Sequence, residues 1–499
     1  MAISTAIDAS AVARVVGIKT IFKNLRGGGI LFLPQRLAIV GQGSSASVYS
    51  TTKRQVTTAL EAAQLYGFGS PLHLAALQVL PVNGDGVGSI PVTLYPLDDE
   101  GAAVASTGAV GVTGTATESG SFKVLVNNIE SKEVVVSNGD LGTVLEDAIA
   151  TAINAVLEMP VVAVGNGISN EADLTSKWKG ASANDITVSV TGTIAGLTFV
   201  VTQPSGGLTN PNIDAALAQV GDVWETMMLN CLDTADTTTL DKYQTFGEGR
   251  WGSITRKPLV VFTGNTEANV STAVTVPDAR AADRVNSQLT APGSDNLPFV
   301  VAARQLARIV TVANNNPPRD YGSQDASGIV PGTDGEQWTH TQRDLAVKAG
   351  SSTVEVKDGV VNVSDTVTFY HPAGDATPAY RYVVDIVKLQ NIIFNLDLMF
   401  ATAEWDGAPL IPDDQPTVNR DAKQPKTAVA AVAAMIDSLA LNAIVSDPET
   451  AKANTFAEID AGNPKRLNVS TTVQLSGNTN IISVDLNFGF YFGTSAVVA

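Results

Sequence analysis

Cysteine, histidine and basic charge are all scarce in this chain, and each shortage excludes something. A single cysteine, Cys231, among 499 residues leaves no intrachain disulfide and fits a reducing compartment. It sits in the apolar run MMLNCLD and reads as a small core residue, not a nucleophile. The three histidines, His73, His340 and His371, lie in separate segments. None has a second His or Cys at ligand spacing, so no metal site is expected. Lys and Arg number 31 against 49 acids, a net charge of −18. That balance argues against direct nucleic-acid binding, which relies on Lys and Arg, and limits non-specific association at high concentration.

Recognisable chemistry is missing too. The Gly-rich turn VGQGSS at residues 40–45 follows a strand pattern. It lacks the Lys-Ser/Thr of a phosphate-binding loop and the third Gly of a dinucleotide fingerprint, and reads as a structural turn. Neither G-x-S-x-G nor H-E-x-x-H occurs. The acids around His340 (DGEQWTH), PDD at 412–414 and DPE at 447–449 read as a solvated loop, a turn and a helix start. No catalytic, cofactor-binding or metal-binding residue is assigned, and no cofactor is expected. The first twenty residues show no basic region followed by an apolar core, so no secretory signal is expected. The longest apolar helix pattern, AVAAVAAMIDSLALNAIV from Ala428, is interrupted by Asp437, Ser438 and Asn442 and predicts a buried helix, with no direct membrane insertion.

What is present is a long chain with mixed patterning, enough for about two to four domains. Residues 1–26 form an arm that turns basic at Lys19, Lys23 and Arg26, and the triplet Gly27, Gly28, Gly29 reads as a hinge. A buried strand over 37–40 is followed by a helix in TKRQVTTALEAAQLYG with Val56, Leu60 and Ala63 on one face and Gly67 as its stop. A second helix starts at Ser70-Pro71. From 91 to 201 the chain is rich in Thr, Val, Ser and Gly in short alternating runs, which predicts a β-rich inserted domain. One helix interrupts it, with Leu141, Val144, Leu145, Ala148, Ala152 and Val156 on one face and Asp140 as cap. Residues 202–341 alternate helix and strand patterns in an α/β order. Residues 342–479 read as α+β: a hairpin turning at Asp358-Gly359, a helix over 382–400, and helices at 426–445 and after Asp447-Pro448. The fold class is therefore α/β plus α+β, multidomain.

The carboxy-terminal stretch VDLNFGFYFGTSAVVA places Val484, Leu486, Phe488, Phe490 and Phe492 at alternate positions, a strand with one wholly apolar face. Chain ends are usually polar and frayed, so this strand needs a partner. A Ser-Gly-Asn-Thr turn offers a local one in residues 467–475. The alternative is another copy of the chain.

Three stretches are similar to tail sheath proteins of contractile-tailed bacteriophages, most closely the Mu-like branch. They are RLAIVGQGSSAS…TTKRQVTTALEAAQLYGFGSPLHLAAL, LTSKWKGASANDITVSV with Gly180 and Asn184 before a strand, and QRDLAVKAGSSTVEVKDGVVNVSDTVTFY…YRYVVDIVKLQNIIFNL. Their order and spacing carry the resemblance, which covers most of the chain and is weakest over 91–201. It implies a sheath core in two parts (27–90 and 202–341), an outward-facing insertion (91–201), a tube-facing domain (342–479), and arms at 1–26 and 480–499. The implied function is structural, not enzymatic. Subunits polymerise around a tail tube in a metastable extended state, linked by donated terminal strands, and contract to drive the tube through the host envelope. Implied partners are further copies of the chain in a helical or stacked-ring polymer, the tail tube protein, and baseplate and tail terminator proteins. The implied location is the virion tail, after assembly in the host cytoplasm. Lys423, Lys426 and Lys452 are candidates to touch the tube. Burying Leu486, Phe488, Phe490 and Phe492 in a neighbour would contribute roughly 6–12 kcal/mol before ordering costs. Two other readings stay open. One is a self-assembling tube or shell with a single state. The other is an α/β enzyme whose Gly/Ser loop near Gly41 holds a phosphate.

Overall fold

The computed structural model describes residues 30–233, 235–375, 379–486 and 488. The arm at 1–26, the triplet Gly27–Gly29, Phe490 and Phe492 lie outside them. Two compact units are formed. One comprises residues 32–393 with the chain from 477 onward; the other comprises 394–476 with Ile30 and Leu31.

The first unit is built on an eight-stranded sheet. Its order is Val360–Asp365, Ser351–Lys357, Asn286–Thr290, Val260–Asn265, Met227–Asn230, Leu37–Gln42, Val92–Leu97 and Arg54–Val56. The six inner strands run parallel and the two edge strands antiparallel. Inner strands such as LAIVGQ and VVFTGN are near-continuous apolar runs because both sheet faces are covered. Leu37, Ile39, Leu94, Leu229 and Phe262 join a core with helices Pro71–Val79 and Pro298–Asn315. Ala38, Val40, Tyr95, Met228 and Val261 face the other way, toward Ile213, Leu217 and Tyr243.

Several expectations shift. Val92–Leu97 begins past the composition change at Pro91 yet pairs with Leu37–Gln42, so it is part of the main sheet and not of the insertion. The hairpin of Ser351–Lys357 and Val360–Asp365 turns at Asp358-Gly359 as expected, both with positive φ. It extends the main sheet instead of opening a separate carboxy-terminal domain, and the division between units falls at residue 393, inside helix Val383–Phe400. Val56 ends an edge strand, and the helix that follows, Ala59–Tyr66, buries Ala59, Ala62, Ala63 and Tyr66 while Leu60 faces solvent. In helix Gly142–Asn154 the inward residues are Leu145, Ile149, Ala152 and Ile153, with Leu141 and Val144 exposed. Asp140 bonds back to the Ser137 amide and does not cap this helix.

Residues between the strands Val92–Leu97 and Met227–Asn230 form two antiparallel four-stranded sheets. One contains Ala105–Gly114, Val161–Gly165, Glu171–Lys179 and Leu197–Ser205; the other is centred on Gly120–Val126. Their apolar faces (Val110, Phe122, Val124, Trp178) are continuous with the core of the main sheet. Gly69 marks the closest approach: at φ +77°, its position leaves a would-be Cβ only 2.1 Å from the Met159 carbonyl.

In the second unit, helix Pro425–Leu441 buries Ala428, Val432, Met435, Ile436 and Leu439, and Asp447 caps the short helix Pro448–Ala453. Two small sheets accompany them, Val445–Ser446 with Gln474–Leu475 and Phe456–Ile459 with Leu467–Ser470. Among the described residues, neither Leu467–Ser470 nor Gln474–Leu475 is strand-paired with the terminal segment. Both halves of that stretch pair with segments that precede them.

Candidate assembly interface

The described residues of the terminal segment are exposed. Val484, Leu486 and Phe488 are 79%, 76% and 86% exposed. Ile481 and Ile482, which the alternating pattern had not included, are exposed as well. Five large apolar side chains are thus exposed within eight residues, a density that marks an interaction site.

The second unit carries a small sheet with open edges. Phe456–Ile459 and Leu467–Ser470 make a sheet of two strands in which, among the described residues, neither has another partner. Beside it lies a cleft of about 860 Å³ lined by Phe400, Trp405, Pro409, Leu410, Leu467 and Val469. Leu467 and Val469 share one strand face, so an added strand would set its own alternate side chains against the same cleft. Trp405 and Leu410 carried no periodic signal, because they lie in an irregular loop.

The three lysines differ. Lys423 is buried, with its ammonium 2.5 Å from Glu404 and over the Trp405 ring. It is committed internally and is corrected from a tube-facing candidate to a structural residue. Lys426 is exposed and donates to the Asp413 carbonyl. Lys452 is half-buried, paired with Asp437 and Glu449.

The places where an α/β fold would hold a ligand are filled by the protein. The chain leaves Leu37–Gln42 toward opposite sides of the sheet, which makes the carboxyl ends of Leu37–Gln42 and Met227–Asn230 the switch point where ligands bind in such sheets. Gln42 there donates to the Lys179 carbonyl at 2.7 Å and to Asp99 at 2.6 Å. The amides of the Gly/Ser turn are also used. Gly43 donates to Tyr49 Oη, Ser44 to the Tyr66 carbonyl, Ser45 to the Lys177 carbonyl and Ser47 to the Ser44 carbonyl. None of these four points at a free anion site. Cys231 is fully buried against Gly41, and burial pushes its thiol pKa far up, the opposite of a nucleophile. His73, His340 and His371 remain in three separate elements. Among the described residues, no group of three His, Cys, Asp or Glu could hold a metal ion, and no helix is long and apolar enough to cross a membrane.

Comparison with known proteins bears on the chain as a whole. No protein-family model matches it. It is similar to the Mu-like prophage FluMu tail sheath protein of Haemophilus influenzae, 25% identical over 445 residues, spanning 87% of this chain and 88% of that one. This likeness spans most of both chains. Solved structures similar to this chain include the sheath tail protein from Listeria innocua, at 12% identity and a TM-score of 0.47, covering 90% of this chain and 94% of that one. Another is the sheath tail protein from Desulfitobacterium hafniense, at 12% identity and a TM-score of 0.45, covering 92% and 100%.

Proposed function

We propose that this sheath subunit polymerises by lending its terminal segment to a neighbouring copy. The segment adds as a strand to the neighbour's sheet of Phe456–Ile459 and Leu467–Ser470, with its apolar face over the cleft at Phe400 and Trp405. The observation that carries this reading is the full exposure of Val484, Leu486 and Phe488 in an isolated chain. Main-chain hydrogen bonds supply affinity and the alternating side chains supply register. The contact is heterologous, so it propagates into a helical or stacked-ring tube and does not close as a dimer.

In the particle, the polymer surrounds a tail tube in a metastable extended state, contacts baseplate and terminator proteins at its ends, and contracts to drive the tube through the host envelope. New body-to-body contacts supply the free energy, and a barrier sets the lifetime of the extended state. Assembly takes place in the host cytoplasm. The insertion faces outward, the amino-terminal arm is a second link hinged at Gly27–Gly29, and Lys426 and Lys452 face the tube.

Negative-stain electron microscopy of the purified chain, with and without residues 481–499, tests this. Tubes from the full chain and only soluble, folded subunits from the truncated one are expected. Tubes of normal length from the truncated chain would sink the strand-lending reading. Tubes with the same helical rise with and without a tail tube inside would sink the two-state one.

A further inference from the structure

The exposed segment has a root, and the root is held by a buried charge. Lys388, on helix Val383–Phe400, has no exposed surface. Its ammonium donates to Asp385 Oδ1 at 2.9 Å and to Asn478 Oδ1 at 2.7 Å. The Asn478 amide nitrogen donates in turn to the Pro318 carbonyl at 2.8 Å. Two residues on, the Asn480 side chain hydrogen-bonds Tyr382. Every described residue from Thr479 onward is exposed. The change from held to free thus occurs within a few residues, directly after one side chain that bridges two elements of the body.

We infer that the Lys388–Asn478 contact is the tether through which a lent terminal segment stays fixed to the subunit that lends it. Giving up the Asn478 oxygen costs the Lys388 ammonium a charged hydrogen bond in the interior. Pulling on the segment from Ile481 onward is therefore resisted at Asn478. Tension passes into the start of helix Val383–Phe400, whose Val383, Val384, Ile386 and Val387 are packed in the core of the main sheet. Asn478 and Lys388 are positioning residues: they touch no neighbour, but fix where the lent segment begins. The inference rests on the strand-lending reading for its purpose, though the tether itself is a property of the single chain.

Two measurements on the full chain separate the two. The variants are Asn478→Ala and Lys388→Met, the second removing the ammonium along with its need for a partner. Isolated subunits are treated with proteinase K and the cut positions read by mass spectrometry. The native chain is cut first after residue 480. Both variants are cut at 477–480 faster by about tenfold, the scale expected for losing a buried charged hydrogen bond, with unchanged cleavage elsewhere. Tubes of each variant are then diluted and subunit loss is timed, with an increase of about tenfold expected on the same basis. Native-like cutting at 477–480 in both variants overturns the tether. Faster cutting with native-like loss from tubes overturns its mechanical role. If instead the chain lacking 481–499 still forms tubes, strand lending fails while the cutting pattern still decides whether the tether exists.

Discussion

The Trp178 indole meets the Phe299 ring edge to face, centroids 6.2 Å apart, and so joins the β-rich segment to the helix beneath the main sheet. Trp178 is fully buried and its Nε1 donates to Ser182 Oγ. Trp178→Ala is expected to cost about 3–5 kcal/mol. Because the core is shared, scanning calorimetry should show one transition of the first unit moving down. A separate early transition for residues 98–205 would show that the segment melts as its own cooperative unit.

His73 sets an acid limit on stability. It is buried, its Nδ1 accepts the Gly69 amide at 2.9 Å, and burial together with the Lys177 ammonium pushes its pKa down from 6.5 to about 4. The unfolded chain takes up this proton first as pH falls. The contribution is fully present above pH 6.5 and is lost as pH drops through about 4, with a size of about 3 kcal/mol. The difference in urea midpoint between pH 7.5 and pH 4 should shrink in His73→Gln. An unchanged difference would remove His73 as the source.

Asp185 works in the opposite sense. Burial, and then the neighbouring Asp233, pushes its carboxyl up from 3.8 to about 7. Its favourable, protonated form is fully present below pH 3.8 and is lost as pH rises through about 7. A shift of that size corresponds to about 4 kcal/mol, and partial exposure brings the expected effect to about 2 kcal/mol. Asp185→Asn should therefore be more stable than the native chain at pH 8 and no more stable at pH 3.5. Equal denaturant midpoints at pH 8 would contradict this.

The terminal segment permits a test that leaves the body untouched. Leu486 and Phe488 are exposed in the subunit, so Leu486→Ala and Phe488→Ala should leave its melting temperature unchanged. Each should weaken tube formation by about 1.5–3 kcal/mol, roughly a ten- to hundredfold rise in the critical concentration. Sedimentation across a concentration series reads this directly. A shift in melting with no shift in critical concentration would place these side chains in the subunit's own core.

Much of the body was legible because its signals are local. Apolar runs such as PLVVFTG mark strands covered on both faces, Asp358-Gly359 marks a hairpin, and Ser70 and Asp447 mark helix starts. What stayed hidden depends on distant partners. Val92–Leu97 has the same composition as the strands of the insertion, and only its pairing with Leu37–Gln42 assigns it to the main sheet. In the Ala-rich helix Ala59–Tyr66 the small residues turn inward, so the largest aliphatic residue was a poor guide to the buried face. At the candidate interface, the two-residue period marks an apolar face in the terminal segment but does not say what receives it. The cleft residues gave no signal because they converge from a helix end, a loop and a strand.

The pairing of Lys388 with Asn478 also sets a clock. Ninety residues separate the two, and at bacterial elongation rates that interval is roughly 5–20 s of synthesis. Until it has passed, the contact between them cannot form, and the start of helix Val383–Phe400 packs into the core of the main sheet without it.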